Sequence, residues 1–451
     1  MRWTGLLVLA ATVGLPAAAA GQQGDTLVLS LEQAIEIARR NNPGYRQTVN
    51  DLELNGPETQ AAWARDILPR LDVNLTTGFS GNLQKRATDP FGNPVANPDA
   101  EYVYFSQTRQ GVGLFWQMQG PSILTRKQRM EAVNDGRTLA ESVAGERLRV
   151  DLRRRFFDAL EQEELLEAER AVAEASRSDQ ETAQRLFELA LRTRVDVLQA
   201  ELLISQQQLA VRQQAGRLEQ SRLALRTVLG QLDLPPVRPA ATAPPVFDPA
   251  QLDGEALVRR AADGSAPVRQ QDAALRQSEV AVSQARGSYW PTLSAGLQVG
   301  RHVQAQQSGS LFSFGGLGDA LYSNFNITMS LPFLNDPFTN RLSITRAEVQ
   351  RENQRDALRE ARLGAEQAVR SALVTLQGRW ETLTIAERSL AIAQEALELA
   401  REEYRLSGRT FEQLQQSVRS EADGRRLLIQ ARYGFVDALV ELEGAVGGPV
   451  R

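Results

Sequence analysis

The chain contains the same arrangement of segments twice, and this internal repeat constrains its fold more than any other feature. LSLEQAIEIARRNNPGYRQ at residues 29–47 corresponds to LDGEALVRRAADGSAPVRQ at residues 252–270. Two further pairs match downstream: ILPRLDVNLTTGF (67–79) with YWPTLSAGLQVG (289–300), and GVGLFWQMQGP (111–121) with FNITMSLPFL (325–334). The offset of roughly 215–225 residues is far longer than a solenoid unit. We therefore expect two similar halves.

Each half contains two segments in which apolar residues alternate with small polar ones. This period of two, sustained over about ten residues, predicts β-strands. Phe115 is the only clear exception to the alternation, and Asp72 is the only charged residue on the polar side of these segments. Such strands are typical of a barrel wall with lipid outside and water inside. A half-buried sheet in a soluble protein is the alternative.

The remaining segments are predicted as long helices, because apolar residues recur every three or four positions with few helix breakers. The first repeat (21–230) is predicted to comprise a helix, strand 67–79, extracellular loop 80–106, strand 107–119, long helix 122–190, tip 190–194 and return helix 195–229. The proline-rich segment 231–253 is predicted as a linker. The second repeat (254–447) is predicted to comprise helix 254–286, strand 289–302, extracellular loop 303–321, strand 322–333, long helix 336–406, tip 406–410 and return helix 411–444, with a tail at 448–451.

The N-terminus has the pattern of an export signal. Arg2 precedes the apolar run LLVLAATVGL (6–15), and small residues follow at 17–20. This order predicts a secretory signal peptide at 1–20, whereas an N-terminal anchor helix is the alternative. The mature protein is therefore expected to leave the cytoplasm.

Composition excludes several classes of function. The chain has no cysteine, and His302 is its one histidine, so thiolate nucleophiles and sites built from several histidines are absent. His302 follows a predicted strand and is expected to be structural or solvated. A net charge of -4 argues against a nucleic-acid partner. We expect no enzyme activity, no catalytic residue, no bound metal and no cofactor.

Four strands of about ten residues cannot close a barrel, because the smallest membrane barrels need about eight. Open strand edges in hydrocarbon are too costly to persist. Several copies of the chain are therefore expected to contribute strands to one barrel, and the same symmetry would arrange the helical hairpins as a tube.

The N-terminal LSLEQAIEIARRNNP, the paired LP and WP strand starts, and RTRVDVLQAE (192–201) resemble the TolC family of outer-membrane efflux proteins. The resemblance spans nearly the whole mature chain. It implies an α+β membrane protein that forms a homotrimer with a 12-stranded outer-membrane β-barrel, four strands from each protomer. It also implies a long periplasmic α-helical barrel of coiled-coil-like hairpins. The implied partners are outer-membrane lipid, a periplasmic adaptor (membrane fusion) protein and an inner-membrane transporter.

The same resemblance places the functional residues at the periplasmic tip. Asp196 occupies the place of an aperture acid in RTRVDVLQA, and Glu412 is the nearest acid in the second-half motif GRTFEQL, which reads one residue shorter. The remaining candidates for tip gating or adaptor contact are Arg192, Thr193, Arg194, Tyr404, Gly408, Arg409 and Thr410. Solvated helix-end charges and plain turn chemistry are the alternatives.

Three classes of function follow. The leading hypothesis is a passive outer-membrane channel-tunnel of a tripartite efflux or type I secretion system, located in the outer membrane of a Gram-negative-type bacterium and extending into the periplasm. Drugs, metals and polypeptides are all possible cargoes. The second is a periplasmic coiled-coil adaptor or scaffold, which leaves the four amphipathic strands without a purpose. The third is a secreted enzyme, for which the sequence offers no site.

Overall fold

The fold is that of a computed structural model. The structure describes residues 27–83, 86–89, 91, 93–96, 102–119, 122–235, 237–240, 244–287, 289–306, 320–331, 337–406 and 408–450. The predicted signal peptide at 1–20 lies outside these residues. The chain forms two compact units. The first unit is built from Met1–Ala38, Leu152–Ala243 and Ile392–Ile429, and the second from Arg39–Asp151, Pro244–Ala391 and Gln430–Arg451.

Both halves run from short helices through two long strands to two long helices, and the first half has additional elements. The first half contains β1 (Leu27–Leu29), α1 (Leu31–Asn41), α2 (Pro43–Leu52), α3 (Asn55–Ile67), β2 (Arg70–Leu83), β3 (Arg86–Thr88), β4 (Pro94–Ala96), β5 (Tyr102–Gln119), α4 (Ser122–Glu188) and α5 (Arg194–Leu229). β6 (Val237–Pro239) and a 3-10 turn at Pro249–Gln251 come next. The second half contains α6 (Gly254–Gly264), α7 (Ala266–Gly287), β7 (Thr292–Gln306), β8 (Ala320–Ser330), α8 (Pro337–Arg405) and α9 (Phe411–Val446).

Four strands form one antiparallel sheet in the order β2-β5-β7-β8. Its register puts like residues in the same row across all four strands. One row consists of Leu71, Leu114, Leu297 and Phe325, and the adjacent row of Asp72, Gly113, Gln298 and Asn324. Since successive side chains point to opposite faces, the sheet has an apolar face and a polar face.

The core of the first unit lies where α4, α5, α8 and α9 pack together. Leu203 on α5 and Leu414 on α9 are fully buried there, together with Tyr404 and Phe411. Burial of large side chains is the main stabilising term for such helix packing. The segment predicted as a linker also contributes to this unit, because its strand β6 pairs in parallel with β1.

The second unit has its own helical core, formed by α6, α7, α8 and α9 around Leu376, Phe435 and Leu442. Polar contacts join α3 to α4 in this unit. Arg137 donates to both carboxylate oxygens of Glu58, at 2.9 and 2.8 Å. Among the described residues, no helix is long and apolar enough to cross a membrane.

Two predicted helices are divided where proline removes a backbone donor. The predicted helix 254–286 is α6 and α7, because Ser265 is extended (ψ 154) and Pro267 fits only in the first turn of a new helix. In the first half, Asn42 caps a new helix before Pro43 by accepting the Tyr45 N–H at 3.0 Å. This divides α1 from α2, and α2 itself ends at Leu52 before α3 begins at Asn55, so the chain forms three short helices where the sequence predicted one.

The strands also extend into segments predicted as loops. The predicted loop 80–106 is too long, because β2 and β5 stay paired as far as Leu83 and Tyr102, and β3 and β4 pair within it. The predicted loop 303–321 is too long as well, since β7 reaches Gln306 and β8 starts at Ala320. The strand predicted at 322–333 ends at Ser330, two residues before Pro332. Cross-strand hydrogen bonds therefore prolong strands beyond the alternating pattern.

Candidate functional site

The candidate site is the tip, which we define as residues 186–196 and 403–413, where α4 turns into α5 and α8 into α9. α4 ends in a Schellman-type turn. The Leu191 N–H donates to the Leu186 carbonyl at 2.8 Å, and the Ala190 N–H donates to the Phe187 carbonyl at 2.9 Å. This turn puts Ala190 at φ 57, a left-handed conformation that an L side chain adopts at some cost.

Both return helices begin with the same capping arrangement. The Thr193 hydroxyl accepts the Asp196 N–H at 3.4 Å, while the Asp196 carboxylate accepts the Thr193 N–H at 3.3 Å. In the second half, Thr410 and Gln413 exchange the same two bonds at 3.4 and 3.1 Å. These are capping boxes, which satisfy otherwise unpaired donors at a helix start.

The capping boxes align the two tips residue for residue. Thr410 is the counterpart of Thr193, so Gln413 is the counterpart of Asp196, and Glu412 is the counterpart of Val195. The second-half motif is therefore the same length as the first at this point, not one residue shorter. The signal that could have shown this is the shared Arg-Thr pair followed three residues later by Asp or Gln.

Arg192 joins the two tips. Its Nη2 donates to the carbonyl oxygens of Tyr404 and Arg409 at 2.7 and 2.6 Å. The guanidinium carbon also lies 4.3 Å from the centre of the Tyr404 ring, within the range of a cation–π contact. Arg192 therefore fixes the end of α8 and the turn after it against the turn after α4.

Tyr404 is buried inside the tip instead of facing solvent. Its side chain is 1% exposed and packs edge-on against Phe411, with ring centroids 5.7 Å apart. Its hydroxyl has no hydrogen-bond partner in the structure. Burial raises the pKa of Tyr404 to about 12; Asp196 adds to the rise and Arg192 opposes it. Tyr404 thus contributes packing and a stacking surface to the tip.

The other predicted tip residues lie nearer the surface. Arg409 forms an ion pair with Glu403, and the Gly408 N–H donates to the Glu403 carbonyl at 2.8 Å. Arg194, at the first position of α5, is exposed, as are Glu412 and the two capping threonines. The structure therefore brings Arg192 into direct contact with Tyr404 and with the backbone of Arg409, and leaves Arg194 and Glu412 at the surface.

Two ion pairs outside the tip involve charged residues that were not predicted as candidates from the sequence. Arg401 on α8 binds Asp179 on α4 through two bonds of 3.2 and 3.1 Å. Arg426 on α9 binds Glu169 on α4 at 2.7 Å, and this hydrogen bond raises the pKa of the guanidinium. The acids are nearly buried. Their partners lie more than 200 residues away, so no local sequence pattern could indicate either pair.

The described residues contain no group of three or more His, Cys, Asp or Glu side chains placed to hold a metal ion. His302 lies in β7 opposite Arg109 of β5, within the sheet and not in a loop.

One sequence-family model matches the second half of the chain. Residues 257–448 match the sequence model described as "Outer membrane efflux protein". No curated protein matches the chain significantly by direct comparison.

Several solved structures share the fold over nearly the full length. A membrane protein from Pseudomonas aeruginosa is 20% identical with a TM-score of 0.70; the match covers 93% of this chain and 90% of that one. The Campylobacter jejuni CmeC outer membrane channel is 15% identical with a TM-score of 0.68, covering 93% and 85%. The Neisseria gonorrhoeae MtrE outer membrane channel is 19% identical with a TM-score of 0.66, covering 93% and 89%.

These matches confirm the resemblance that the sequence motifs predicted, and the family model agrees with the predicted outer-membrane location. The chain thus carries an outer membrane efflux protein domain and has the fold of the TolC-like outer membrane efflux proteins.

Proposed function

We propose that the chain is the outer-membrane channel-tunnel of a tripartite efflux or type I secretion system. It forms a homotrimer in which three four-stranded sheets close one 12-stranded barrel in outer-membrane lipid, and its helices form the periplasmic tunnel. A periplasmic adaptor and an inner-membrane transporter deliver the cargo and supply the energy. The channel itself is passive and is not an enzyme.

The observation that carries this proposal is the four-stranded sheet. Within the described part of the chain, β2 and β8 each pair with a single strand of the sheet, so each has an outer edge. Its apolar face is open: Val73 is 74% exposed and Phe325 is 67% exposed. A sheet with free edges and an exposed apolar face is an aggregation hazard in water. Closure with copies of itself in lipid resolves both problems.

Two exposed apolar stripes on the first unit support a ring of identical chains. Val195, Leu202 and Leu209 recur every seven residues along α5, and all three are exposed. Ile392 and Leu399 recur at the same interval along α8 and are also exposed. Because the two stripes are different surfaces, joining one to the other in a neighbouring copy gives a head-to-tail contact that can close a ring.

The tip is proposed to form the periplasmic end of the tunnel. Asp196 is the aperture acid in this proposal, and three copies of it would favour cations by concentrating negative potential in a narrow pore. Glu412 lies one position earlier in its helix and is proposed to lie outside that ring. Arg194, Thr193, Thr410 and Gly408 offer the exposed surface for adaptor contact, whereas Arg192, Tyr404 and Arg409 hold the two turns together.

The first experiment measures the detergent-corrected mass of the protein extracted from the outer-membrane fraction. We expect three times the protomer mass. A soluble periplasmic monomer would refute the shared barrel and would favour the adaptor or scaffold hypothesis instead.

Cysteine cross-linking then tests which edges meet. The chain has no cysteine of its own, so introduced thiols are the only ones present. A short bis-maleimide should link Val73→Cys of β2 to Ile327→Cys of β8 in a neighbouring copy, giving covalent dimers and trimers on a denaturing gel. The control pair, Val112→Cys with Val299→Cys, lies on adjacent central strands and should link only within one chain.

A further inference from the structure

We propose that Phe115 and Tyr322 form two aromatic platforms on the polar face of the sheet, and that these platforms bind planar aromatic cargo during export. The inference rests on the proposed function, because it requires the polar face to line the export path. It adds a class of cargo and the residues that recognise it.

Phe115 lies flat across two glycines. It shares the polar face with Arg70, Gly296 and Asn326, its neighbours in the same row. A Cβ atom added at Gly113 would lie 2.5 Å from the Phe115 ring, and one added at Gly296 would lie 3.2 Å from it. A side chain at Gly113 would therefore displace the ring, and one at Gly296 would press against it. The side chain is nevertheless 39% exposed.

Tyr322 repeats this arrangement further along the sheet. A Cβ atom added at Gly300 would lie 2.8 Å from Cζ of the Tyr322 ring, and one added at Gly111 would lie 3.2 Å from its hydroxyl oxygen. Both rings therefore extend over glycines of β7, Phe115 from β5 and Tyr322 from β8. An aromatic ring over a strand glycine stabilises a sheet, which explains part of this pattern.

The spacing of the two rings is suited to a bound molecule. Gly296 and Gly300 are four residues apart on one strand, which corresponds to about 13 Å. The row between them offers Asp72, Gln298 and Asn324 on the same face. Two flat apolar surfaces are thus separated by a row of hydrogen-bonding groups.

This chemistry selects for flat molecules with polar edges. A ring whose lower face is covered by backbone can stack with an aromatic ligand on its upper face. The carboxylate and amides beside it can pair with amino or carbonyl substituents at the ligand's edge. An aliphatic molecule of the same charge has no face to stack and gains only the polar contacts.

The test compares two probes of equal charge, ethidium and tetrabutylammonium, on the purified full-length protein in detergent. Ethidium binding is measured by fluorescence anisotropy, and block of the single-channel current by either probe is measured in planar bilayers. We expect ethidium to bind and to block at lower concentration than tetrabutylammonium. Phe115→Leu should weaken ethidium binding about tenfold, the loss of one stacking contact, and Phe115→Tyr should restore it. Tetrabutylammonium should be unaffected by either change.

Two further variants keep the test decisive. Gly113→Ala keeps the phenylalanine but places a Cβ atom 2.5 Å from its ring, so the ring must shift, and this variant should weaken ethidium binding as Phe115→Leu does. Leu114→Met, on the opposite face of the same strand, should leave binding unchanged. If ethidium binds Phe115→Leu as tightly as the parent, the rings only cover glycines and the inference fails, while normal conductance keeps the proposed function. If the parent forms no channel at all, the proposed function fails, and the inference falls with it.

Discussion

Replacing Arg192 with alanine is the most direct test of how the tip is held together. The variant loses two hydrogen bonds, of 2.7 and 2.6 Å, from a charged donor to the carbonyls of Tyr404 and Arg409. It also loses the stacking contact with the Tyr404 ring. Each charge-assisted bond contributes about 1.5 kcal/mol at the low end, and a partly exposed cation–π contact about 0.5 kcal/mol. These contributions sum to about 3.5 kcal/mol, and water that reaches the two carbonyls in the variant offsets part of this, so we expect a net local cost of about 3 kcal/mol.

Hydrogen exchange followed by mass spectrometry measures this cost locally, as the exchange rate of backbone amides in the tip, because the tip can open without global unfolding. A cost of about 3 kcal/mol corresponds to roughly a hundredfold faster exchange. The increase should appear in peptides covering 186–195 and 404–412 and be absent from the sheet. Arg192→Lys should have a smaller effect, since lysine keeps a donor but lacks the planar stacking group.

Arg194→Ala is the matched control, because Arg194 is exposed two residues away and should change exchange less than threefold. Exchange in Arg192→Ala no faster than in this control would refute the reasoning. So would an equal increase throughout the chain, because the contact would then stabilise the whole fold and not the tip.

Three further changes test other parts of the first unit. Ala190→Gly relieves a left-handed alanine and should slow exchange at the end of α4 by a few fold, equivalent to about 1 kcal/mol; faster exchange would contradict the strain. Arg401→Gln leaves the nearly buried carboxylate of Asp179 without its partner and should lower the midpoint of thermal unfolding, with a cost of about 3 kcal/mol, whereas Arg177→Gln at an exposed pair should change it little. Tyr404 should titrate near pH 12 in the folded protein; because this folded pKa exceeds the unfolded value of 10.0, its contribution to stability is complete below pH 10 and is lost as the pH rises towards 12. Ultraviolet difference spectra of Tyr404→Phe against the parent measure this titration, and a tyrosinate that forms near pH 10 would contradict the burial.

Local sequence patterns predicted most of the helices and strands of the fold. The period-two alternation predicted the four strands, although their ends were wrong by up to five residues. Strand ends depend on pairing: Leu83 is in a strand because Tyr102 lies opposite it. The prolines at 43 and 267 also divide segments that the apolar periodicity predicted as continuous helices. Periodicity identifies which face of a helix is buried, but it does not show where the backbone leaves the helical conformation.

At the tip, the sequence located the two turns between helices but not the contacts of their residues. Arg192 and Tyr404 were recognised as candidates, yet their mutual contact joins residues more than 200 positions apart, and no spacing rule predicts it. The burial of Tyr404 could not be predicted either, because the sequence around a tyrosine near a helix end does not indicate whether its ring faces solvent or the core. The two capping boxes identified Gln413 as the counterpart of Asp196, which the shared Arg-Thr pair in the sequence also indicates.

The sequence by itself determined the repeat, the types of element and the absence of cysteine and of a histidine cluster, because each of these is written in local order or in composition. Only the tertiary structure decided which strands are neighbours, which helices share a core and which charges are paired. β5 of the first half lies beside β7 of the second, and Asp179 meets Arg401 across two helices. Such contacts depend on how distant segments bury their apolar surface together, and a one-dimensional pattern specifies the surface to be buried but not its partner.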